Sequence, residues 1–376
     1  MSDFEKFIPE HIRSLAAYAQ GKPIRQAASE SGLSSIIKLA SNENPFGPSL
    51  KALAAMRKAA ASGNFYPDNE NLELRGKLAE RHNISPEHIL VTAGTTQFID
   101  IISRTLLGPG LNAVTSEKTF IVYAIAVRAA GGEYIQTPMR GEAFDLDAVA
   151  AAVNESTRVV FLANPNNPTG TMFDAAATDR FLAQLPEQVL VVLDEAYCDF
   201  AQSFAAQRRI EYSHSLDYVR QAKSVVVLRT FSKAHGLAGI RVGYGFGPPK
   251  LLQHLARVRT AFSVSGVAEA GAIAALDDHA HVAQAVQNNL EESKWLEGKL
   301  RELGFTPVPT SASFIYFDSG EAAGELARRL QAEGIIVRPM TIWGGPQAIR
   351  VTVGTPEQNR RFIAALKLVR ERAAAR

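Results

Sequence analysis

The segment Val225-Val-Val-Leu-Arg-Thr-Phe-Ser-Lys-Ala-His-Gly-Leu-Ala-Gly-Ile-Arg-Val-Gly243 is the most informative stretch of this sequence. Its first residues form an apolar run that is typical of a strand buried on both faces. Lys233 follows the end of this predicted strand, where open α/β sheets bind their ligands. Thr230, Ser232 and Arg241 offer hydroxyls and a guanidinium to a phosphate, and the glycines between them let the backbone approach a ligand closely. A lone lysine at a strand end is usually just solvated, but these neighbours indicate a ligand site.

Strand-like and helix-like patterns alternate outward from this segment. The strand candidates are His88–Thr92, Ala113–Thr115, Glu133–Thr137, Arg158–Ala163, Val189–Leu193, Ser224–Arg229 and Val242–Phe246. Several are continuous Val, Leu and Ile runs without polar alternation, as in a parallel sheet covered by helices. The alternation predicts an α/β fold whose large domain has a mainly parallel seven-stranded sheet flanked by helices.

The length and the later part of the chain predict a second domain. A chain of 376 residues is longer than one compact core usually is. After about residue 250 a long helical region, roughly Val267 to Leu303, precedes short strands and helices that indicate a smaller α+β domain. Its last helix opens at Thr355-Pro-Glu-Gln358, which has the form of a capping box. We expect an N-terminal arm with part of the small domain over 1–40, a large domain over 41–260 and a small domain over 261–376.

Composition excludes several classes of protein. Apolar residues make up 46% of the chain, charged residues 21%, and the net charge is +2, so we expect neither a nucleic-acid partner nor a membrane partner. The single cysteine, Cys198, cannot form an internal disulfide, which favours a cytoplasmic location. The start of the chain has no apolar signal core. Asp277-Asp-His-Ala-His281 is better explained as an exposed helix surface than as a metal site, so no metal is expected.

Four more segments place reactive side chains next to predicted strands. Asn164-Pro-Asn-Asn-Pro-Thr-Gly170 forms a turn after a strand, and Val91-Thr-Ala-Gly-Thr-Thr-Gln97 opens a helix whose first N–H groups can bind phosphate. Asp194 ends a buried apolar run, where a carboxylate is costly unless it pairs with a cation; a helix N-cap is the alternative. Arg350 lies within a predicted strand and can bind a carboxylate or phosphate through two hydrogen bonds.

Together these segments resemble the fold type I aminotransferases, which depend on pyridoxal 5′-phosphate (PLP), over nearly the whole chain. The segment Ser232–Gly243 is close to the lysine motif of that family. The resemblance implies that Lys233 binds PLP covalently and later acts as the general base. It further implies that Asp194 pairs with the ring nitrogen, and that Asn167 and Tyr197 donate to the phenolic oxygen.

The resemblance also implies how the rest of the cofactor is bound. The phosphate-binding residues would be Thr95, Thr96, Gln97, Thr230, Ser232 and Arg241. The family often has an acidic residue at the position of Gln97. Phe120 would stack on the ring, although it could equally belong to the core. Tyr66 would reach the phosphate in a neighbouring subunit, which implies a homodimer.

Four residues are implied to bind the substrate. Arg350 would hold its acid group, Arg338 would be a second anion-binding residue, Asn42 would contact the substrate, and Tyr18 would line its side-chain pocket. Each arginine could instead form a surface ion pair, an alternative that is stronger for Arg338.

The segment Lys38–Pro48, the paired asparagines of the Asn164 turn and Arg338 resemble histidinol-phosphate aminotransferases most. That branch implies a phosphorylated amino donor and a keto acid acceptor such as 2-oxoglutarate. His235 and Phe231 depart from its usual residues, so aromatic amino acid aminotransferases stay open as an alternative. A PLP-dependent phosphothreonine decarboxylase is an alternative of another class. A non-catalytic PLP-binding regulator is less favoured, because such proteins usually carry a DNA-binding segment ahead of this fold, whereas the resemblance here begins within the first twenty residues.

Overall fold

Strands and helices alternate along the chain as the sequence predicts. The computed structural model describes residues 4–17, 21, 23, 25–26, 29, 33 and 35–374. The helices are α1 Glu10–Arg13, α2 Leu50–Ala60, α3 Leu72–His82, α4 Thr95–Leu106, α5 Val122–Ala129, α6 Leu146–Ala151, α7 Ala175–Leu182, α8 Cys198–Arg208, α9 Ser215–Arg220, α10 Pro249–Val258, α11 Gly266–Leu276, α12 His279–Glu302, α13 Ala323–Ala332 and α14 Pro356–Ala374. The strands are β1 Ile37–Lys38, β2 Ile89–Thr92, β3 Asn112–Ser116, β4 Glu133–Thr137, β5 Met139–Arg140, β6 Ala143–Phe144, β7 Thr157–Ala163, β8 Leu190–Asp194, β9 Val225–Thr230, β10 Gly243–Phe246, β11 Phe314–Asp318, β12 Ile335–Ile336, β13 Arg338–Pro339 and β14 Ala348–Thr352.

A seven-stranded sheet with the order β2-β10-β9-β8-β7-β3-β4 organises the large domain. Strands β9, β8, β7, β3 and β4 pair in parallel, and β10 pairs antiparallel with both β9 and β2. These seven strands are the seven that the sequence predicts. The carboxyl ends of the parallel strands therefore meet at one edge of the sheet, where such folds bind ligands.

Helices cover the sheet on both faces, which explains its continuous apolar strands. Along β7, the neighbours Val160 and Phe161 are both fully buried and lie in different core clusters. The first cluster includes residues of α2, α3 and α11, and the second includes residues of α4, α5 and α10. A strand buried on both faces gains nothing from polar alternation, so its sequence has none.

The small domain is built on the sheet β11-β14-β13 and on α13 and α14. Strand β1 pairs in parallel with β12, and Ile37 and Leu39 pack in the same core. The capping box predicted for the last helix is present: the Thr355 hydroxyl accepts from the Gln358 N–H at 3.3 Å, and the Gln358 Oε1 accepts from the Thr355 N–H at 3.0 Å.

The helical region predicted from Val267 to Leu303 is divided between α11 and α12. Helix α11 packs on α2, and Ala268 and Ala272 belong to the core of the large domain. This packing favours a domain division near residue 277 over the predicted one after residue 260. Within the described part of the chain, no helix has both the length and the apolar character that a membrane crossing requires.

Candidate active site

A cavity of about 270 Å³ lies at the carboxyl edge of the large sheet, beside the small domain. It brings together most of the residues that the sequence singles out. The predicted residues that line it are Asn42, Thr95, Thr96, Phe120, Asn167, Asp194, Tyr197, Thr230, Ser232, Lys233, Arg241, Arg338 and Arg350. They come from chain segments far apart in sequence, so the fold assembles the site.

Asp194 is the last residue of β8 and is 5% exposed. Its Oδ2 accepts a hydrogen bond from the Tyr123 hydroxyl at 2.8 Å, and its Oδ1 accepts from the Ala196 N–H at 3.2 Å. Burial raises the pKa of Asp194 to about 6, although the bonds from Tyr123 and Ala196 and the charge of Lys233 act in the opposite direction. A buried carboxylate in this state is stabilised by a cation in the cavity.

Lys233 lies three residues beyond the end of β9 and points its amine into the same cavity. Its Nζ is 3.4 Å from the carbonyl oxygen of Asn42 and 5.3 Å from the centre of the Tyr197 ring. The loop after Lys233 is held tightly, because a Cβ at Gly236 would lie 2.1 Å from the carbonyl oxygen of Gly47. The amine is thus placed beside Asp194 and Tyr197 by a loop with little freedom to move.

Hydroxyls, a helix start and a guanidinium surround one end of the cavity. Thr95 and Thr96 open α4, whose first N–H groups and positive dipole end attract an anion. The Ser232 Oγ accepts from the Thr230 hydroxyl at 3.0 Å and lies 3.4 Å from the Arg241 Nη1. This arrangement has the composition of a phosphate cradle.

Phe120, Asn167 and Tyr197 contribute aromatic and amide groups between the two ends of the cavity. The Tyr197 hydroxyl accepts from the Asn42 amide Nδ2 at 2.7 Å. The Asn167 Oδ1 accepts from the Arg350 Nη1. Phe120 lines the cavity, as a residue that covers a flat ring must.

Two arginines lie opposite each other where the small domain meets the cavity. Arg338 of β13 and Arg350 of β14 are paired residues of adjacent antiparallel strands, 8% and 5% exposed. The Arg350 Nη2 donates to the carbonyl oxygen of Ala40 at 2.9 Å. The Arg338 guanidinium lies over the Trp343 ring, 4.8 Å from its centre. Both guanidinium groups therefore line the same end of the cavity, where one anionic group could contact both.

Three predicted site residues are not among those that line the cavity. The Gln97 Oε1 accepts from the Ala93 N–H at 2.8 Å, so this side chain closes the start of its own helix. Tyr66 is 83% exposed and stacks on Phe262 with the ring centres 4.7 Å apart. Tyr18 lies outside the described residues.

Sequence reasoning missed Tyr123 and Trp343. Tyr123 contacts Asp194, which is 71 residues away in sequence. It follows Phe120 by three residues at a helix start, which was the only local signal. Sequence reasoning also missed a buried ion pair, in which the Arg229 Nη2 is 2.7 Å from the Glu195 Oε2. Glu195 directly follows Asp194 in the sequence.

These residues fit PLP. The carboxylate of Asp194 is buried where a pyridinium nitrogen could pair with it, and the Lys233 amine lines the same cavity, where it could react with an aldehyde carbon. The helix start with Ser232 and Arg241 fits the phosphate, and Phe120 offers a flat face to the ring. Fold and site together define a PLP-dependent aminotransferase.

The chain belongs to the family "Aminotransferase class I and II", whose profile matches residues 34–366. It is 44% identical over 368 residues to histidinol-phosphate aminotransferase 2 of Pseudomonas aeruginosa, covering 97% of this chain and 98% of that protein. It is 42% identical to a histidinol-phosphate aminotransferase of Moorella thermoacetica, covering 95% of this chain and 92% of that protein.

Solved structures agree with this membership. The crystal structure of histidinol-phosphate aminotransferase from Sinorhizobium meliloti, in complex with pyridoxal-5′-phosphate, matches with a TM-score of 0.87 and 29% identity over 97% of this chain and 98% of that chain. An aspartate aminotransferase of Thermus thermophilus shares the fold, with a TM-score of 0.81 at 22% identity over 95% of this chain and 98% of that chain. The predicted fold class, the aminotransferase activity and the cofactor are thus confirmed.

Proposed function

We propose that this protein transfers the amino group of histidinol phosphate to 2-oxoglutarate. The observation that carries this proposal is the cross-strand pair Arg338 and Arg350, both buried and both lining the cavity. Because the two residues are direct cross-strand partners and both line the cavity, their guanidinium groups can converge on one anion there. A phosphate dianion suits two guanidinium groups better than a single carboxylate does. Relatives that carry the name histidinol-phosphate aminotransferase at 44% and 42% identity support the same donor.

The catalytic residues then have separate tasks. When bound, PLP supplies an electron-accepting ring that spreads the negative charge left on the substrate carbon. Asp194 holds the ring nitrogen as a cation through charge pairing. The Lys233 Nζ would take the proton from the amino-bearing carbon of the donor and, in the second half of the reaction, would return a proton to the corresponding carbon of the acceptor. Tyr197 and Asn167 orient the cofactor through its phenolic oxygen.

Substrate binding falls to the arginines and to Asn42. Arg350 binds the acid group of either substrate, while Arg338 adds the second charge that a phosphate needs. Asn42 is held between the two domains, because its N–H donates to the Thr352 hydroxyl at 2.9 Å and its amide donates to Tyr197 at 2.7 Å. It is therefore placed to contact a substrate that bridges the same gap.

We also propose that the active unit is a cytoplasmic homodimer. Phe65 and Tyr66 are 74% and 83% exposed, and Tyr66 stacks on Phe262, itself 44% exposed. An exposed aromatic cluster of this kind is typical of a surface that another subunit covers. Tyr66 would then reach the phosphate of the neighbouring active site. Light scattering of the wild type and of Tyr66→Asp measures the mass, and a monomeric wild type would contradict the dimer.

A donor screen with 2-oxoglutarate tests the proposed reaction. Histidinol phosphate, phenylalanine, tyrosine and phosphothreonine are compared for wild type and Arg338→Ala. We expect the highest kcat/KM with histidinol phosphate, and a loss in Arg338→Ala that is about tenfold larger for this donor than for phenylalanine, about 1.4 kcal/mol for the second charge. A higher kcat/KM with phenylalanine or tyrosine would contradict histidinol phosphate as the donor and identify an aromatic amino acid aminotransferase. Carbon dioxide release from phosphothreonine without a keto acid would identify a lyase.

A further inference from the structure

Tyr123 connects the buried carboxylate of the site to the side chain that would cover the cofactor ring. It is fully buried on α5 and donates to the Asp194 Oδ2 at 2.8 Å. Its ring stacks on Phe161 at 4.8 Å with planes 10° apart, and it meets the edge of Phe120 at 5.6 Å and 90°. The phenol is therefore held in one orientation by aromatic contacts on two sides.

The hydrogen bonds to Asp194 leave room for the cofactor. An ionised carboxylate has about four acceptor positions, and Tyr123 and the Ala196 N–H take one on each oxygen. The remaining positions can accept the N–H of a pyridinium ring. A neutral phenol that donates to a carboxylate stabilises the ionised form over the protonated one.

We propose that Tyr123 is a positioning residue that orients Asp194 and keeps it ionised, so that the ring nitrogen of PLP retains its proton. The proposal rests on PLP binding in this cavity and not on the choice of amino donor. Burial raises the pKa of both side chains, whereas the hydrogen bond from Tyr123 lowers the pKa of Asp194. Without the phenol, Asp194 becomes more basic and the shared proton moves from the ring towards the carboxylate. The ring then accepts electrons less well.

Tyr123→Phe tests this because phenylalanine keeps the stacked ring and removes only the hydroxyl. The holoenzyme is prepared with PLP labelled with ¹⁵N in the ring, and the nitrogen chemical shift is recorded without substrate. We expect a protonated-ring shift in the wild type and a movement towards the neutral-ring value in the variant. We also expect kcat to fall about tenfold with little change in KM, because the hydroxyl does not line the cavity.

Tyr218→Phe is the matched control. Tyr218 is also buried, and its hydroxyl donates to the carboxylate of Asp179 at 2.6 Å, outside the site. This control should leave the nitrogen shift unchanged. Replacing Tyr123 alone with 3-fluorotyrosine, a more acidic phenol of nearly the same size, should hold the ring at least as fully protonated as in the wild type. This second variant keeps the test valid if Tyr123→Phe does not fold.

The outcomes separate this proposal from the choice of substrate. An unchanged ring-nitrogen shift in Tyr123→Phe would overturn the role of Tyr123, whatever happens to activity. A shift that moves equally in Tyr218→Phe would also overturn it, since the effect would then be a general one of losing a buried hydroxyl. The donor screen can fail without affecting either result, because the shift is measured in the absence of donor.

Discussion

Gly94 lies directly against the guanidinium of Arg241: a Cβ at Gly94 would be 2.3 Å from the Arg241 Nη2. This contact holds Arg241 over the start of α4, beside Thr95 and Ser232. Because Gly94 also has φ 79°, only glycine meets both the conformational and the spatial requirement.

Gly94→Ala should therefore weaken PLP binding by more than backbone strain alone explains. Gly110→Ala is the matched control, since Gly110 has φ 82° but no atom lies within 4 Å of its added Cβ. We expect both variants to lose similar stability from strain, about 1 kcal/mol, whereas only Gly94→Ala raises the Kd for PLP, by about tenfold or more. Fluorescence titration of the apo-proteins measures the Kd. Equal Kd values in both variants would show that the contact between Gly94 and Arg241 does not contribute to PLP binding.

Lys233→Ala should abolish both turnover and the visible absorbance of lysine-bound PLP, because the side chain supplies the covalent link and the base. The phosphate cradle remains, so PLP should still bind without a covalent bond. Lys250→Ala changes an exposed lysine of α10 and should keep both properties. Full turnover in Lys233→Ala would remove the proposed role.

Arg350→Ala should raise KM for the amino donor and for the keto acid together. Arg350 is buried beside Asn167 and Ala40, and a bond to a charged group is worth about 1.5–3 kcal/mol, or about ten- to a hundredfold in KM. Steady-state kinetics with both substrates varied measures the change. A normal KM for the acceptor would assign the binding of its acid group to another residue.

Asp194→Asn should change the pH dependence of stability of the apo-protein. The pKa of Asp194 is raised by burial to about 6, so the folded protein still binds its proton at a pH where the unfolded chain has lost it. The wild type therefore loses stability as pH rises from about 4 through about 6, and asparagine removes this loss. By linkage the difference reaches about 3 kcal/mol.

Urea unfolding of both apo-proteins between about pH 4.5 and 7.5 checks this prediction, with the groups common to both cancelling in the difference. The variant should become the more stable apo-protein towards neutral pH. A constant difference across this range would mean that Asp194 is ionised in the folded protein even without the ring nitrogen of PLP beside it.

Local pattern was sufficient for most of the fold. The seven strands of the large sheet, such as Thr157–Ala163 and Leu190–Asp194, lie within one or two residues of their predicted bounds, because burial on both faces selects continuous apolar runs. The site residues at strand ends follow from the same pattern. In a parallel sheet these ends meet at one edge, so Asp194, Asn167 and Lys233 could be expected together.

Tertiary structure alone decided the remaining relationships. Arg338 faces Arg350 through strand register, Tyr123 reaches Asp194 across 71 residues, and α11 joins the large-domain core rather than the small one. The Gln97 Oε1 accepts from the Ala93 N–H, and Gln97 is not among the residues that line the cavity. The periodicity of apolar residues indicates which face of a segment is buried. Which other segments pack against that face depends on how the whole chain folds.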